Sequence, residues 1–318
     1  MTKHDTLNMN KVFYIDGGAG RVIAAIPALL KYHKLNPDNT WCVLIPGWHY
    51  LYWGIPGLHE RTYDAEQKGV FDVYIKHANE FVAPEPYRLP AYYRQEVSLS
   101  QAFDRLINST QDHSDLGAPM FTFNKAETHW AQTQVAQIAQ AQGKSKTILI
   151  QPFGRGCRID AGAVIDDSTR SLSADNYIQL VQKLGTRYNL IFMGEPDYQI
   201  TTDTYTHKMP ANTDLRMWAS LIDQVDYVIG VDSVAQHMAR ATNTPGTVIF
   251  GSTYPINTSY PDWFQIVENM AHKTYSAIRI SNMDSQMADR YNDACMNFSE
   301  EEMDELYQQI VKHIQQTT

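Results

Sequence analysis

Apolar and polar positions along the chain change period in a regular way, and the changes mark out elements. Val12-Phe13-Tyr14-Ile15 is a short β-prone run, Asp16-Gly17-Gly18-Ala19-Gly20 a glycine turn, and Val22 to Tyr32 an apolar pattern at helical spacing. That is strand, turn, helix. Trp41 to Ile45 predicts a second strand, closed by Pro46-Gly47, and Phe71 to Ile75 a third. Trp48 to Trp53 and Tyr87 to Tyr93 are aromatic-rich and keep neither period; binding surfaces are often built on loops of this kind.

A helix is predicted over Lys125 to Gln140, ending at Gly143, with Gly143-Lys144-Ser145-Lys146 as a hinge. A fresh alternation follows. Strands are expected at Thr147 to Gln151, Asn189 to Met193, Tyr227 to Gly230 and Gly246 to Phe250, and helices at Ser173 to Leu184, Leu215 to Gln224 and Ser233 to Thr242. Strands alternating with helices imply an α/β fold with parallel sheets covered on both faces. A final helix opens on the capping box Ser299/Glu302 and repeats Met303, Leu306, Tyr307, Ile310, Val311 and Ile314 on one face, which must be buried. The expected organisation is an N-terminal domain (1–143), a C-terminal domain (144–298) and the last helix (299–318).

Composition narrows the class. A chain of 318 residues suits two domains of about 150 residues each. Hydrophobic residues make up 43% and charged residues 19%, the balance of a globular protein. The polar start lacks a signal-peptide core, and no apolar run approaches the roughly 20 residues that cross a bilayer. The expectation is a cytoplasmic protein without integral membrane association. Cys42, Cys157 and Cys295 are odd in number and far apart, implying reduced thiols rather than a disulfide framework or a zinc site. A formal charge of -9 argues against a surface that hugs nucleic acid or anionic membrane throughout. One basic stretch stands out. Lys144, Lys146, Arg155, Arg158 and Arg170 share their segment with only Asp160, Asp166 and Asp167, which suits a phosphate ligand or a solvated loop.

In parallel sheets ligands bind beyond the carboxyl ends of strands, where turns lead into helix N-termini. Four turns qualify: Asp16 to Gly20, Gln151 to Arg158, Gly194 to Asp197, and Gly230 to Ser233. The first lacks the GxGxxG spacing of a dinucleotide site, yet Gly18 and Gly20 let backbone amides approach an anion. After Gly230, the helix start at Ser233 is suited to a diphosphate. Asp232 would be repelled by that diphosphate, leaving it to bind donor sugar hydroxyls or cap the helix. His237 reaches phosphates or simply packs. Ser252 and Thr253 follow a strand with Gly251, fit for phosphate oxygens or for a plain turn. Arg170 would neutralise a phosphate ligand or sit in solvent. Glu195, at a strand end, would accept from a ribose or start a helix.

Asp232-Ser233, His237, Ala239, Ala241, Pro245, Phe250-Gly251-Ser252-Thr253 and Pro255 resemble the C-terminal signature of glycosyltransferase family 9, the ADP-heptose:lipopolysaccharide heptosyltransferases. Gly20 through Ile26-Pro27-Ala28-Leu29 is similar to that family's first glycine turn and following helix. Gln151-Pro152 with Arg170 and Ser173 to Tyr177 is similar to its third stretch. The resemblance spans about a third of the chain. It implies a GT-B fold: two Rossmann-like domains facing a cleft, the nucleotide-sugar donor on the C-terminal one, the final helix crossing back to the N-terminal one. It further implies inverting transfer without metal or other cofactor.

In the family an aspartate after the first-turn glycine is the base; here Arg21 stands in its place. Asp16 is the nearest carboxylate that can deprotonate an acceptor hydroxyl, and Arg21 is free to bind an acceptor or donor phosphate. The acceptor side holds Trp48, His49, Tyr50, Tyr52, Trp53, Tyr87, Arg88, Tyr92, Tyr93 and Arg94, which stack on sugars, on an extruded base, or in a core. Phage-encoded enzymes that glycosylate 5-hydroxymethylcytosine in DNA also have GT-B folds, so the acceptor hydroxyl belongs to a saccharide or to a modified base. A nucleotide-sugar epimerase and a non-catalytic nucleotide-binding protein are the other readings.

Overall fold

The computed structural model describes residues 9–154, 156–160, 163–166, 168–194, 206–210, 213–269 and 293–317. Glu195 and Arg155 lie outside the described residues. The chain divides into two compact units, Met1–Phe123 and Asn124–Thr318.

In the first unit the elements are β1 (Lys11–Tyr14), α1 (Ala19–Leu35), β2 (Trp41–Ile45), β3 (Thr62–Asp64), β4 (Glu80–Val82), α2 (Pro90–Tyr93) and α3 (Leu99–Asn108). The strands form a parallel sheet in the order β3-β2-β1-β4. All five residues of β2 are buried, because a parallel strand covered on both faces reads as a continuous apolar run. On one face Val12, Cys42 and Leu44 meet Met9 and Val70. On the other, Phe13, Tyr32 and Trp41 pack edge to face, with centroids 4.8 to 5.8 Å apart. α3, held by a Ser98/Gln101 capping box, packs along α1.

The expected strand at Phe71 to Ile75 is instead one turn of π-helix, with Lys76 N–H donating to Phe71 C=O. The edge beside β1 that it would have joined is taken by β4. The turn lets Tyr74 stack on Tyr63 at 4.3 Å while Phe71 stays 62% exposed. Alternation alone cannot distinguish these outcomes, since it contains nothing about which edge is vacant.

The second unit contains α4 (Lys125–Gln142), β5 (Thr147–Gln151), β6 (Cys157–Asp160), β7 (Ala163–Asp166), α5 (Ala174–Gly185), β8 (Asn189–Phe192), β9 (Thr206–Lys208), α6 (Leu215–Ile222), β10 (Tyr227–Val231), α7 (Val234–Ala241), β11 (Gly246–Phe250), α8 (Pro255–Thr258), β12 (Gln265–Glu268) and α9 (Glu300–Thr317). Six strands form a parallel sheet in the order β12-β11-β10-β5-β8-β9; β6 and β7 form a separate antiparallel hairpin. Strand residues Ile148, Ile150, Leu190, Phe192, Ile229 and Ile249 meet α5 and α9 in one core. α7 packs on β10 and β11, α6 on α7, and α4 on α6 and β8.

Two expectations about organisation are corrected. α4, placed before the hinge in sequence, belongs to the second unit: its Glu127 grips Arg216 of α6 through two oxygens, at 2.7 and 2.8 Å. Glu127 also completes a capping box with Asn124, so the same residue starts the helix and anchors it. α9 has the expected Ser299/Glu302 box, but its apolar stripe is not buried by crossing back. Met303, Leu306, Ile310, Val311 and Ile314 lie in the second unit's own core with Tyr177, Leu180 and Leu184 of α5. An amphipathic stripe specifies that it is covered, not by what.

Cys42 and Cys295 are buried and Cys157 is half-buried, all as free thiols. Burial pushes Cys42 up to about 12, and burial and the nearby Asp166 push Cys157 up to about 11, so neither is a nucleophile at neutral pH. Among the described residues no helix is long and apolar enough to cross a membrane.

Candidate functional site

Both sheets have a point where chain direction across the sheet reverses, the place at the carboxyl edge where parallel sheets leave a crevice for ligands. In the second unit it lies between β5 and β10, where Gln151 is abreast of Gly230. A Cβ added to Gly230 would meet nothing within 4 Å, so the crevice is open beside that strand end. Gln151 Oε1 accepts from the Ala235 N–H of α7 at 3.0 Å, and the Ser233 N–H donates to Val231 C=O. Of the amides a helix leaves unpaired at its start, these two are therefore occupied by the protein. Ser233 is the N-cap residue, but its side chain makes no cap bond; it is partly exposed at the rim.

Asp232 is only 5% exposed. Its Oδ1 accepts from Gln236 Nε2 at 3.0 Å and its Oδ2 from Thr253 Oγ1 at 2.7 Å. The carboxylate is thus neither the helix cap nor an open ligand for sugar hydroxyls: its neighbours in the fold already hold both oxygens. What it does instead is orient Thr253, which remains partly exposed. Arg170 lies beside it, with Nη1 donating to the Asp232 carbonyl at 3.3 Å and Nε to Ser168 Oγ at 2.9 Å. Among the described residues no carboxylate pairs with that guanidinium. Ser168 and Ser171 are held in turn by Asp166, so a short polar chain fixes the arginine's direction.

Two predicted residues prove structural. Ser252 is fully buried and shares a hydrogen bond with Thr169. The turn folds tightly there, since a Cβ on Gly251 would come within 2.0 Å of the Thr169 carbonyl, and this turns Ser252 away from any ligand. His237 is 6% exposed, its Nδ1 3.0 Å from Tyr260 Oη. Burial pushes it down to about 4, against a smaller opposing pull from Asp232, so it is neutral at pH 7 and supplies no positive charge to a phosphate.

In the first unit the crevice lies between β1 and β4. Asp16 follows β1, and Gly17 turns the chain at φ +91°, where a Cβ would lie 3.0 Å from Arg21 Cδ. Gly18 is the exposed N-cap residue of α1 and Gly20 lies in its first turn. Arg21 is 9% exposed and is not available to a phosphate. Its guanidinium holds Asp16 at 3.1 Å, Glu85 at 3.1 Å and the Pro84 carbonyl at 2.9 Å, and lies over the rings of Tyr87 and Phe103. The Asp16 side chain keeps 38% exposure. Glu85 was not singled out from sequence: it sits in an irregular stretch, and only the sheet order brings the end of β4 beside that of β1.

The aromatic candidates separate by burial. Tyr52 and Tyr92 are fully buried, with Tyr52 Oη donating to Val22 C=O. Trp48, His49, Tyr50 and Trp53 form one cluster of rings, from which Trp53 is 47% exposed. Tyr93 is 41% exposed.

Fold and comparison agree on the class, a glycosyltransferase of GT-B type with parallel-sheet domains. Residues 173–285 match the family model of glycosyltransferase family 9 (heptosyltransferase), and the chain is heptosyltransferase-like over that segment. The whole fold is similar to ADP-heptose lipopolysaccharide heptosyltransferase II of E. coli, at 12% identity and TM-score 0.60, covering 96% of this chain and 99% of that one. It is also similar to a family 9 glycosyl transferase from Veillonella parvula, at 10% identity and TM-score 0.65, covering 98% of each. A third similarity is to the iron-containing dodecameric glycosyltransferase TibC of enterotoxigenic E. coli, at 11% identity and TM-score 0.59, covering 98% of this chain and 82% of that one. No curated protein matches the chain by sequence.

Proposed function

We propose that the protein is an inverting glycosyltransferase that moves a sugar from a nucleoside diphosphate sugar to a hydroxyl acceptor. The observation that carries this reading is the open crevice beside Gly230, inside the segment matched to family 9, with Arg170 on its rim. Arg170 would neutralise the charge that grows on the diphosphate as the sugar bond breaks. Thr253, aimed by Asp232, and the rim hydroxyl of Ser233 would hold phosphate oxygens; neutral His237 packs behind them. We expect transfer without a metal, with Arg170 supplying the positive charge. Asp16 is the base we assign. It would take the proton from the acceptor hydroxyl as that oxygen attacks the anomeric carbon on the face opposite the leaving diphosphate. Its ion pair with Arg21 fixes its direction.

A thermal-shift screen of the full chain against ADP-, UDP-, GDP- and CDP-sugars tests the donor half. Stabilisation by one nucleotide series, lost in Arg170→Ala, is expected; no shift with any of them sinks the reading. Product analysis with and without saccharide acceptors and hydroxymethylcytosine DNA then separates transfer from epimerisation and one acceptor from the other.

A further inference from the structure

A pocket of about 350 Å³ opens in the first unit at the amino edge of its sheet, a strand's length away from the crevice at Asp16. That volume falls within the roughly 300–1,000 Å³ typical of small-molecule sites. Lys11 and Glu80, the first residues of β1 and β4, stand on its wall with Asn10, Asn36, Asn39 and Asn108.

The chemistry of this wall is selective. Two helices end on it: α1 at its C-cap Asn36 and α3 at its C-cap Ser109, both lining residues. Helix carboxyl ends present unpaired carbonyls and negative partial charge, which disfavours an anion. Glu80, the only carboxylate among the described residues of the wall, already has its countercharge in Lys11 Nζ at 2.8 Å and offers no unpaired anion to a cation. What remains is a surface for a neutral ligand rich in hydroxyls. The amides are already aligned for one. Asn10 Nδ2 donates to Asn39 Oδ1 at 3.3 Å, Asn39 Nδ2 to Asn36 Oδ1 at 3.1 Å, and Asn36 Nδ2 to the Tyr32 carbonyl at 3.0 Å. Each of these Nδ2 groups carries a second N–H and each Oδ1 a second lone pair, so donors and acceptors alternate along the chain as hydroxyls do around a sugar ring. Asn108 Oδ1 adds a buried acceptor without a donor. Leu35, 57% exposed on the same wall, offers an apolar patch for a sugar's C–H face.

We infer that this pocket binds a neutral saccharide, away from the reacting centre and independently of the donor. The test is NMR of the asparagine side-chain amides in the full chain. The probes are methyl glucoside, methyl mannoside, methyl galactoside, lactose and maltotriose, with KCl, CaCl2 and inorganic phosphate as ionic controls. A saccharide is expected to shift the Asn36 and Asn39 signals saturably, with Kd in the millimolar range. Asn39→Leu should weaken it by about fivefold, the equivalent of one hydrogen bond. Leu35→Ala, at an exposed position that folding does not need, should weaken it too, and Arg170→Ala should not. The inference is overturned if no saccharide moves these signals, if only an ion does, or if both pocket variants bind as well as wild type. No sugar transfer enters the measurement, so a failure here leaves the assigned activity standing, and the reverse.

Discussion

The two crevices are built by the same topology and treat their arginines in opposite ways. Arg21, in the first unit, is buried among Asp16, Glu85 and a carbonyl. Among the described residues, Arg170 in the second unit meets a serine hydroxyl and a backbone carbonyl, both neutral. A guanidinium paired with two carboxylates brings no positive potential to a ligand, whereas one held only by neutral acceptors keeps its charge for whatever enters. Under the proposed function the first crevice would take a neutral acceptor that must lose a proton, and the second a diphosphate. The carboxylates differ as well: Asp232 is turned to Thr253 and Gln236, while Asp16 remains partly open.

This contrast can be broken by experiment, and the largest effect is expected at Asp16. Asp16→Asn removes the assigned base and should lower kcat by roughly 10²–10⁴-fold with the donor-induced thermal shift unchanged; loss of both together would mean that Asp16 supports the fold instead. Arg170→Ala should lower kcat/KM by roughly 10²–10³-fold, the scale of one electrostatic stabiliser of the transition state. Steady-state kinetics and the donor thermal shift should fall together there, and unaltered donor binding would remove the distinction between the crevices.

A smaller effect is expected from acid. His237 takes up its proton near pH 4 when folded, against about 6.5 in an unfolded chain. Between those values the unfolded state binds the extra proton, so stability is complete above about pH 6.5 and falls as pH drops towards 4, by up to roughly 3 kcal/mol. Urea titrations of wild type and His237→Gln across that window should converge as pH falls; parallel curves would show that the ring protonates freely in place. Smallest of all, Glu85→Gln keeps one hydrogen bond to Arg21 and should cost about 1 kcal/mol in the same titrations.

Much of the fold was legible along the chain. β2, β5 and β11 occupy the residues their apolar runs predicted, since strands covered on both faces need continuous hydrophobicity. The boxes at Asn124/Glu127 and Ser299/Glu302 lie within three residues of chain, and so depend on local sequence alone. The segment 173–285 bears the family resemblance in its own residues.

What the tertiary structure alone decided were the partners. That α9 is covered by α5, that β4 rather than Phe71–Ile75 takes the sheet edge, that Ser252 turns inward and that Glu85 reaches Arg21 across 64 positions all depend on contacts between segments distant in sequence. Hydrophobic period states that a face is buried and residue type states what a side chain can do. Neither states which neighbour arrives, because that follows from the order in which strands join a sheet, and it is this order that paired one arginine with carboxylates and left the other its charge.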